Sequence, residues 1–579
     1  MTVIARDAGS GTWRLFERPL EIVTATHITD VLPALHKIEN ECRHLGRYAA
    51  GFLSYEAAPA FDEALKTQPP DNFPLLWFGV YDHAEERSLD ELGSLDHAAA
   101  PAQQWIPSIS AERYSEVFEQ LQELIRKGDT YQVNYTYRIR TRLQSDPFAL
   151  FLQLARTQSP PFGAYVDTGE WAICSASPEL FFHYASPYIE SRPMKGTAAR
   201  GLWFEQDIER GRRLRESKKE RAENVMIVDM VRNDLGRIAR PGSVRVTNLF
   251  DVERYPTVLQ LTSTVAAETD ASLRGLMRAL FPAASITGAP KARTMEIIAA
   301  VECSPRHIYT GTIGFVEPGG RSQFNVAIRT VLVHRPTGEA EYGVGGGIVA
   351  DSTLVEEWNE SQIKVRALAA GPPSFDLLET ILWKPDVGYV LIGRHLKRLV
   401  QSSDYFGFQV DVLDVRDRLE QYAAGLPRAP QRVRVTVSRS GALDITSKPQ
   451  DVNEGFPRIA LAASPIDPSN PFLYHKTTNR RIYEDAIAAR PGFGDVLLHN
   501  DRGEVTESTI ATLVVNIDGE LWTPPITSGL LPGTLRAHLI DEGKIREKVI
   551  PVHELLTKSE RYLMNSVRGF HPVDVVTDS

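Results

Sequence analysis

The sequence predicts a two-part protein of mixed α/β fold with much antiparallel sheet, and three observations lead to this prediction. The chain has 579 residues, which at roughly 100–200 residues per domain requires several domains. Strand-like runs alternate with amphipathic helical stretches on both sides of residue 370. Between these parts, residues 369–374 contain Gly-Pro-Pro, which ends a helix and stiffens a short linker. We therefore divide the chain into residues 1–370, a linker at 371–374 and residues 375–579.

Each element follows from local pattern, because strands favour β-branched and aromatic residues whereas helices repeat apolar residues every three or four positions. In the first part, the predicted strands are WAICSA, YIESRPMKG, FNVAIRTVLV and EYGVGGGIV, and the predicted helices are YSEVFEQLQELIRKG, KERAENVMIVDMVRNDLGRI and LVEEWNESQIKVRALAA. In the second part, the predicted strands are RVRVTVS, RIALAAS, DVLLHN and TLVVNID, and the predicted helices are GRHLKRLVQSSDYF, NRRIYEDAIAAR and TLRAHLIDEG.

Composition and charge exclude several classes of protein. Hydrophobic residues make up 42% and charged residues 24%, which is typical of globular protein. The net charge of −10 argues against a general nucleic-acid surface, and an anionic small ligand would need locally placed cations. The three cysteines lie far apart, the N-terminus lacks a signal-like apolar segment, and no run of about 18 apolar residues could span a membrane. We expect a cytoplasmic protein that binds neither nucleic acid nor membrane.

Two helices concentrate carboxylates in a pattern that could serve chemistry. Glu223 shares a helical stripe with Ile227 and Val231, and a carboxylate on an apolar stripe is unfavourable unless it is paired or binds a metal. Glu357 and Glu360 lie three residues apart on one helix face. Oxygen ligands of this kind suit Mg²⁺. Taken alone, each pattern is more typical of a solvated helix face than of a metal site.

Seven motifs in fixed order strengthen this interpretation. They are Ser177-Pro-Glu-Leu-Phe181, Arg192-Pro-Met-Lys-Gly-Thr197, Glu223-Asn with Arg232-Asn-Asp-Leu-Gly236, Ile286-Thr-Gly-Ala-Pro-Lys291, Tyr309-Thr-Gly-Thr-Ile-Gly314, Phe324-Asn-Val-Ala-Ile-Arg329 and the glycine-rich block at 343–364. Together they resemble the chorismate-utilising enzyme family over residues 110–368. The resemblance implies an α/β sandwich of two sheets flanked by helices, with chorismate and Mg²⁺ in a central cleft.

Two positions distinguish branches of this family. Members that add water have a lysine base where this chain has Gln132, and a glutamine amide cannot deprotonate water, so ammonia is expected as the nucleophile. Anthranilate synthases have a small residue at the position of Lys195, whereas aminodeoxychorismate synthases have lysine. The resemblance therefore implies an aminodeoxychorismate synthase, component I. An anthranilate-synthase-like half remains the alternative.

The family motifs also imply roles for individual residues. Lys195 would be the nucleophile, with a depressed pKa, and Glu179 would be the general acid for the departing hydroxyl. Glu223 and Glu357 would hold Mg²⁺, with Glu360 acting through water. The residues expected to contact the substrate are Arg329 and Lys364, through its carboxylates, together with Tyr309 and the backbone of Gly311.

The source of ammonia is expected to lie outside this chain. A glutaminase of the amidotransferase type needs a cysteine on a sharp turn with a partner histidine. Cys42, Cys174 and Cys303 all lack that sequence setting. The protein would therefore use free ammonia or a separate glutamine amidotransferase subunit.

The second part contains the residue types that pyridoxal 5′-phosphate (PLP) requires: a Schiff-base lysine, a carboxylate for the pyridine nitrogen and a phosphate-binding cup. Lys476 and Glu507 can supply the first two. Thr534 lies at a predicted helix N-terminus suited to phosphate, and Arg398 and Ser566 are further candidates.

This set resembles the class IV, or branched-chain-aminotransferase-like, PLP fold of two subdomains over residues 375–575. The block at Lys476 and the Asn565-Ser566-Val-Arg568-Gly569 signature look most like the 4-amino-4-deoxychorismate lyases, with Arg568 contacting substrate. Two features depart from the family: the similarity begins at Phe375 without the usual additional strand pair, and Thr512 replaces an asparagine.

The two resemblances imply consecutive reactions in one chain. Chorismate and ammonia would give 4-amino-4-deoxychorismate, and PLP-dependent loss of pyruvate would then give 4-aminobenzoate for folate biosynthesis. One alternative combines an anthranilate-synthase-like first half with an amino-acid transaminase. In the other, the second half is a non-catalytic PLP fold that serves as a dimerisation module. Because class IV folds commonly form dimers, we expect a homodimer through the C-terminal part.

Overall fold

A computed structural model of the chain describes residues 1–93, 104–365, 368, 374–451, 454–456, 458–557 and 560–576. The chain divides into two compact units. The first comprises Met1–Arg200 and Gly211–Gly371, and the second comprises Gly201–Arg210 and Pro372–Ser579. Of the predicted linker at 371–374, residues 371–373 lie outside the described residues. Each unit is described by itself below.

The strands that precede the predicted linker are short, except for a few that are ten or eleven residues long. They are β1 (Thr2–Arg6), β2 (Trp13–Glu17), β3 (Glu21–Ala25), β4 (Tyr48–Leu53), β5 (Leu76–Tyr81), β6 (Glu85–Arg87), β7 (Ile106–Pro107), β8 (Gln132–Arg142), β9 (Ala164–Asp167), β10 (Trp171–Ser175), β11 (Leu180–Ala185), β12 (Tyr188–Arg192), β13 (Met194–Ala199), β14 (Arg245–Arg254), β15 (Val258–Glu268), β16 (Gly288–Ala289), β17 (Thr312–Val316), β18 (Ser322–Asn325), β19 (Thr330–His334) and β20 (Glu339–Val349).

The helices of the same stretch cover the sheets. They are α1 (Ile28–His44), α2 (Leu89–Leu92), α3 (Ala111–Arg126), α4 (Pro147–Gln158), α5 (Phe204–Glu216), α6 (Lys218–Gly236), α7 (Leu273–Leu280), α8 (Lys291–Val301) and α9 (Leu354–Val365). Serine hydroxyls fix several of their N-termini, because a side-chain oxygen satisfies a free backbone N–H there. Ser110 accepts from Arg113 N–H before α3, and Ser217 accepts from Glu220 N–H before α6.

Two sheets form the body of the first unit. Within the described ranges, one runs β16-β8-β20-β19-β10-β9-β1-β2-β6 with β7 on β8, and the other runs β13-β15-β12-β11-β18-β17-β4-β5-β3 with β14 on β15. Buried side chains of both sheets meet in a shared core, as Phe16 and Ile173 of one sheet do with Phe52 and Phe315 of the other. The outer faces pack against α1, α6 and α7 on one side and against α3, α4 and α8 on the other. The predicted two-sheet sandwich flanked by helices is confirmed.

Two predicted strands are each split in the structure. The run 188–196 becomes β12 and β13, because Pro193 between them has no N–H to offer a ladder. The run 324–333 becomes β18 in one sheet and β19 in the other. Arg329 lies in the crossing segment with a φ of 49°, a conformation that few non-glycine residues adopt. The pattern predicted extended chain correctly but not the change of sheet.

The second unit contains two smaller sheets. Its strands are β21 (Leu377–Lys384), β22 (Gly388–Tyr389), β23 (Gln431–Val437), β24 (Leu443–Pro449), β25 (Ile459–Leu461), β26 (Asp495–His499), β27 (Val505–Ser508), β28 (Thr512–Ile517), β29 (Glu520–Thr523), β30 (Arg546–Glu547), β31 (Arg561–Asn565), β32 (Gly569–Pro572) and β33 (Val575–Val576). Its helices are α10 (Ile392–Phe406), α11 (Val412–Ala423), α12 (Arg481–Ala488), α13 (Thr534–Asp541) and α14 (Val552–Thr557).

Each sheet of the second unit builds its own core. The sheet β22-β21-β23-β24 packs against α10 and α11 through residues such as Ile381, Leu396 and Val433. The sheet β30-β29-β28-β27-β26-β25-β33, with β31 on β28 and β32, packs against α14 through Leu513 and Leu555. The predicted two-subdomain arrangement is confirmed. Among the described residues, no helix combines the length and apolar content needed to cross a bilayer, and the cytoplasmic location stays a prediction.

Candidate active sites

Because strand β20 is rich in glycine, side chains from other elements can lie very close to its backbone. A Cβ on Gly347 would lie 2.6 Å from Nζ of Lys195 and 3.0 Å from Nε2 of Gln132. A Cβ on Gly346 would lie 2.6 Å from Oε2 of Glu357. These distances are shorter than van der Waals contact, so any larger residue at either position would displace the end of the Lys195 or Glu357 side chain. The strand gathers residues from three other elements into one group.

Lys195 lies on β13 and is held at both ends. Its carbonyl oxygen accepts a hydrogen bond from Nδ2 of Asn224 on α6 at 3.2 Å. Its Nζ is 3.1 Å from Oε2 of Glu223, and the two side chains are 18% and 15% exposed. The predicted nucleophile and one predicted metal ligand are therefore paired with each other, and Ile227 and Val231 are buried further along the same helix.

Gln132 is the first residue of β8 and is fully buried. Both atoms of its amide lack a hydrogen-bond partner in the described protein, and each buried unsatisfied amide group is unfavourable. Its Nε2 and the Nζ of Lys195 both lie next to the Cα of Gly347. An unpaired polar group beside a lysine is consistent with a site that completes its hydrogen bonds with a ligand.

Glu179 precedes β11 and is 3% exposed. Burial raises the pKa of its carboxyl to about 7, although the hydroxyl of Ser285 and the N–H of Met194 both donate to it. Met194 directly precedes Lys195, so the predicted acid adjoins the strand of the predicted nucleophile. A carboxyl that holds its proton near neutral pH can act as a general acid.

Each predicted metal ligand already has a partner in the protein, and Glu223 is paired with Lys195. Burial raises the pKa of Glu357, which accepts a hydrogen bond from Oγ of Ser352 at 2.6 Å. Lys364 lies 2.8 Å from Oε1 of Glu360 and lowers the pKa of that carboxyl. The residues that the structure describes include no cluster of three His, Cys, Asp or Glu arranged to bind a metal directly. Sequence reasoning also missed Glu220, whose pKa is raised by burial and by neighbouring Glu223.

The predicted substrate-binding residues occupy different settings. Arg329 has no carboxylate partner among the described residues, and its guanidinium lies 5.5 Å from the centroid of the Tyr255 ring. Lys364 donates to the carbonyl oxygen of Gly345 at 2.6 Å in addition to its pair with Glu360. An enclosed guanidinium without an anionic partner is the most available carboxylate ligand of the set.

Tyr309 and Gly311 shape the same region sterically. The ring of Tyr309 packs so closely on Gly343 that a Cβ there would lie 2.2 Å from Cγ of the ring. The N–H of Gly311 already donates to the carbonyl of Ile308 at 2.8 Å, so its backbone donor is not free. A Cβ on Gly311 would lie 2.4 Å from the carbonyl oxygen of Leu53. The requirement for glycine at this position is therefore one of space.

In the second unit, the pKa of Lys476 is lowered and the pKa of Glu507 is raised. Burial and the charge of Arg398 lower the pKa of Lys476 to about 8. Burial raises the pKa of Glu507 to about 7, and the carboxyl accepts from the Tyr483 hydroxyl at 2.9 Å and from the N–H of Leu531 at 3.1 Å. The carbonyl of Lys476 accepts from Leu378 N–H of β21, which fixes the lysine backbone against that sheet.

The three predicted phosphate-binding residues are brought together by a histidine that sequence reasoning missed. Nε2 of His395 is 3.1 Å from Oγ of Ser566 and 3.3 Å from Oγ1 of Thr534. Arg398 lies one turn further along α10 and shares the carboxylate of Glu379 with His395. The spacing of His395 and Arg398 on one helix face was the available sequence signal.

Arg568 contacts residues other than those around His395. Its Nη2 donates to Oε1 of Glu454 at 2.9 Å, and its guanidinium lies 5.5 Å from the centroid of the Phe456 ring. The side chain of Asn565 caps its backbone N–H at 2.8 Å. In the described residues, Arg568 thus anchors the segment before β25, and a role in substrate binding stays a prediction.

The two units hold separate groups of enclosed, oppositely charged side chains, which is the organisation of a two-site enzyme. Comparison with known proteins gives the same division. Residues 11–370 match the family model described as chorismate binding enzyme, so the chain belongs to that family. Residues 376–576 match the model described as amino-transferase class IV. Both resemblances stated from the motifs are confirmed.

Individual relatives resemble the first unit. Aminodeoxychorismate synthase component 1 of Klebsiella aerogenes is 43% identical over 266 residues, covering 46% of this chain and 58% of the relative. The protein of that name from Bacillus subtilis is 34% identical over 358 residues, covering 55% of this chain and 76% of the relative. The chain thus spans little more than half the length of the first of these.

Solved structures share the sandwich. Anthranilate synthase component I from Streptococcus pneumoniae aligns with a TM-score of 0.55 at 25% identity, covering 61% of this chain and 91% of that one. The menaquinone-specific isochorismate synthase from Escherichia coli aligns with a TM-score of 0.51 at 17% identity, covering 63% and 87%. The second of these likenesses is to the fold alone.

Proposed function

We propose that residues 1–370 convert chorismate and ammonia to 4-amino-4-deoxychorismate, and that residues 375–579 eliminate pyruvate from this product to give 4-aminobenzoate for folate biosynthesis. The observation that carries the first reaction is the meeting of Lys195 and Gln132 beside Gly347. A lysine there offers a nucleophile, and a glutamine amide offers hydrogen bonds but no base. The relatives named aminodeoxychorismate synthase component 1 support the same assignment.

The first reaction begins when Lys195 releases its proton to water and frees Glu223, whose oxygen is 3.1 Å away, for Mg²⁺. The neutral amine then attacks ring C2 of chorismate, the ring double bonds shift, and the C4 hydroxyl departs as water with the proton of Glu179. Ammonia next attacks C4, the double bonds shift back, the C2–Nζ bond breaks to release Lys195 as the neutral amine, and the ammonium at C4 returns a proton to Glu179. The net change replaces the hydroxyl by an amine and releases one water.

The substrate carries carboxylates into a protein of net charge −10. Arg329, enclosed and without a carboxylate partner in the described residues, would bind one of them. Lys364 would bind another after leaving Glu360, since an ammonium group can exchange one carboxylate for another at similar distance. Local cations thus overcome an unfavourable overall charge.

The carboxylates beside Lys195 fit Mg²⁺ by donor chemistry. Mg²⁺ prefers oxygen ligands, keeps several waters and takes only one or two carboxylates from protein. Glu357 has a raised pKa and lies near Glu360, so a cation would relieve both burial and like-charge repulsion. Glu223 and Glu357 would hold the ion, with Glu360 acting through water. Bound Mg²⁺ would supply positive charge to the substrate carboxylates.

The residues of the second unit fit PLP in the same sense. Lys476 would hold the cofactor, Glu507 would keep its pyridine nitrogen protonated, and Arg398, Thr534 and Ser566 would surround its phosphate. Bound PLP would supply an electron sink for loss of the pyruvate group. With a pKa of about 8, Lys476 is more often neutral at pH 7 than an ordinary lysine, so it can accept the C4 proton of the substrate.

Ammonia would come from solution or from a separate glutamine amidotransferase subunit. Burial raises the pKa of Cys42 to about 12 and raises that of Cys174 as well, so neither thiol is an effective nucleophile at neutral pH. Cys303 is exposed and is not among the residues that lie close to Gly346 and Gly347 of β20. A homodimer through the C-terminal part completes the proposed assembly.

The test incubates the full chain with chorismate, ammonium, Mg²⁺ and PLP and identifies products by mass spectrometry. We expect 4-aminobenzoate and pyruvate in equal amounts, and accumulated 4-amino-4-deoxychorismate when PLP is omitted. Anthranilate as the product would contradict the first assignment. Accumulated 4-amino-4-deoxychorismate in the presence of PLP would contradict the lyase assignment and support a non-catalytic dimerisation module.

A further inference from the structure

The imidazole of His395 connects three distant segments of the second unit. Its Nδ1 is 2.7 Å from Oε2 of Glu379 on β21. Its Nε2 is within 3.1 Å of the Ser566 hydroxyl, after β31, and 3.3 Å of the Thr534 hydroxyl, at the start of α13. His395 and Glu379 are 1% and 2% exposed. A buried ring that meets two hydroxyls at one nitrogen restricts how both hydroxyls can rotate.

Glu379 sets the orientation of this ring. Burial alone would raise its pKa, but the charges of Arg398 and His395 lower the pKa of Glu379 to about 2. The carboxylate is therefore an anion that accepts from Nε and Nη2 of Arg398 at 2.8 and 2.7 Å. Because an anion faces Nδ1, that nitrogen carries a hydrogen and donates it. One carboxylate thus aligns both the guanidinium of Arg398 and the ring of His395.

A short segment links these hydroxyls to Glu507. The N–H of Leu531 donates to the carboxyl of Glu507, the carbonyl of Pro532 accepts from Nη1 of Arg398, and Thr534 contacts His395. Four consecutive residues therefore join the carboxyl assigned to the pyridine nitrogen with the groups assigned to the phosphate. The two ends of one cofactor would be held through one stretch of backbone.

We propose that His395, supported by Glu379, is a positioning residue that holds the hydroxyl oxygens of Ser566 and Thr534 at the phosphate end of the PLP site, where each hydroxyl turns its proton from Nε2 of His395 to the phosphate when PLP binds. This inference rests on the proposed function, because it assumes PLP at Lys476. Burial lowers the pKa of His395, and with Nδ1 donating to Glu379 the Nε2 of the neutral ring accepts from both hydroxyls before PLP binds. His395 thereby fixes the positions of both side chains before the phosphate arrives, so less entropy is lost on binding.

The test compares PLP with pyridoxal, which lacks the phosphate and can still react with Lys476. Affinities of the full chain are measured by titration after cofactor removal, using the absorbance of the lysine-bound form. We expect His395→Ala to weaken PLP at least about 10-fold, equivalent to about 1.4 kcal/mol, and to change pyridoxal affinity less than about 2-fold. His395→Gln, which keeps a polar group, should lie between.

The matched control is His553→Ala, at an exposed position of α14 that should leave both affinities unchanged. In a Ser566→Ala background, the effect of His395→Ala on PLP should shrink. Equal weakening of PLP and pyridoxal would overturn the positioning role in favour of a structural one, as would an unchanged PLP affinity. Failure of the unaltered chain to bind either compound would instead overturn the proposed function.

Discussion

Nζ of Lys195 lies 3.1 Å from Oε2 of Glu223, in a pair that is mostly shielded from water. The two charges stabilise each other because the surrounding protein screens them less than solvent would. Lys195 can become a nucleophile only after it leaves this pair as the neutral amine.

Replacing Lys195 by alanine should abolish or divert amination at C4. We expect 4-amino-4-deoxychorismate formation to fall at least ~100-fold because the covalent step is lost. Product identification with saturating ammonium measures this directly. Lys218→Ala, at an exposed position before Glu223, is the matched control and should keep full activity. An undiminished rate of 4-amino-4-deoxychorismate formation in Lys195→Ala would show that the lysine is not the nucleophile.

Replacing Gln132 by methionine should separate stability from activity. The amide of Gln132 is buried without a partner in the described protein, so an apolar side chain of similar size should stabilise the empty enzyme by about 1 kcal/mol. Amination should nevertheless fall about 10-fold, since the hydrogen bonds to the nucleophile or substrate are lost. Chemical denaturation and product assays measure the two effects. A clear loss of stability would show that the amide has an essential protein partner.

The first reaction should lose rate as pH rises through about 7. The pKa of Glu179 is raised to about 7, so its carboxyl is protonated below that value and ionised above it. A general acid acts only in its protonated form, so the rate of the first reaction should fall as the pH rises. Measuring kcat of Glu179→Gln across pH 6–9 should give a slow and flatter profile. A wild-type rate that increases through this range would argue against Glu179 as the acid.

Adding one methyl group to β20 should disable the first site. In Gly347→Ala, the new Cβ would lie 2.6 Å from Nζ of Lys195, which forces the lysine or the strand to move. We expect a fall in kcat of more than ~100-fold with only about 1–3 kcal/mol of destabilisation. Gly236→Ala, where nothing lies within 4 Å of the new Cβ, is the control and should stay active. Normal activity in Gly347→Ala would mean that Lys195 does not act from this position.

Replacing Lys476 by alanine should stop the second reaction and spare the first. The variant should lose the absorbance of lysine-bound PLP and release no pyruvate, because Lys476 is the lysine whose charge acts on the Glu507 carboxyl. 4-Amino-4-deoxychorismate should accumulate at the unaltered rate, which mass spectrometry can follow. Lys384→Ala on β21 is the control. Continued pyruvate release would assign the elimination to another residue.

Much of the fold could be predicted from local pattern. Hydrophobic period and strand composition predicted β10, β20, α6 and α13, and the motif order predicted the two-sheet sandwich. The split of 188–196 at Pro193 was foreseeable in principle, because proline cannot continue a ladder. The crossing of 324–333 from one sheet to the other was not, since pattern alone does not specify which sheet a strand joins.

The candidate sites were predicted unevenly for the same reason. Lys195, Glu179, Lys476 and Glu507 were singled out because the motif around each one implies a chemical role. The pairing of Glu360 with Lys364 is four residues apart on a helix and was accessible to sequence reasoning. His395 was missed because its partners Glu379, Thr534 and Ser566 lie far from it along the chain.

By itself, the sequence determined the two parts, their families, the acidic balance and the residue types available for catalysis, because these depend on composition, period and short motifs. Only the tertiary structure decided that Gln132 and Lys195 share one spot, that Glu223 pairs with that lysine, and that His395 joins Ser566 to Thr534. The physical reason is that these distances depend on strand register and packing between segments. Register between β8 and β20, for example, sets Gln132 opposite Val349 and next to the glycine run.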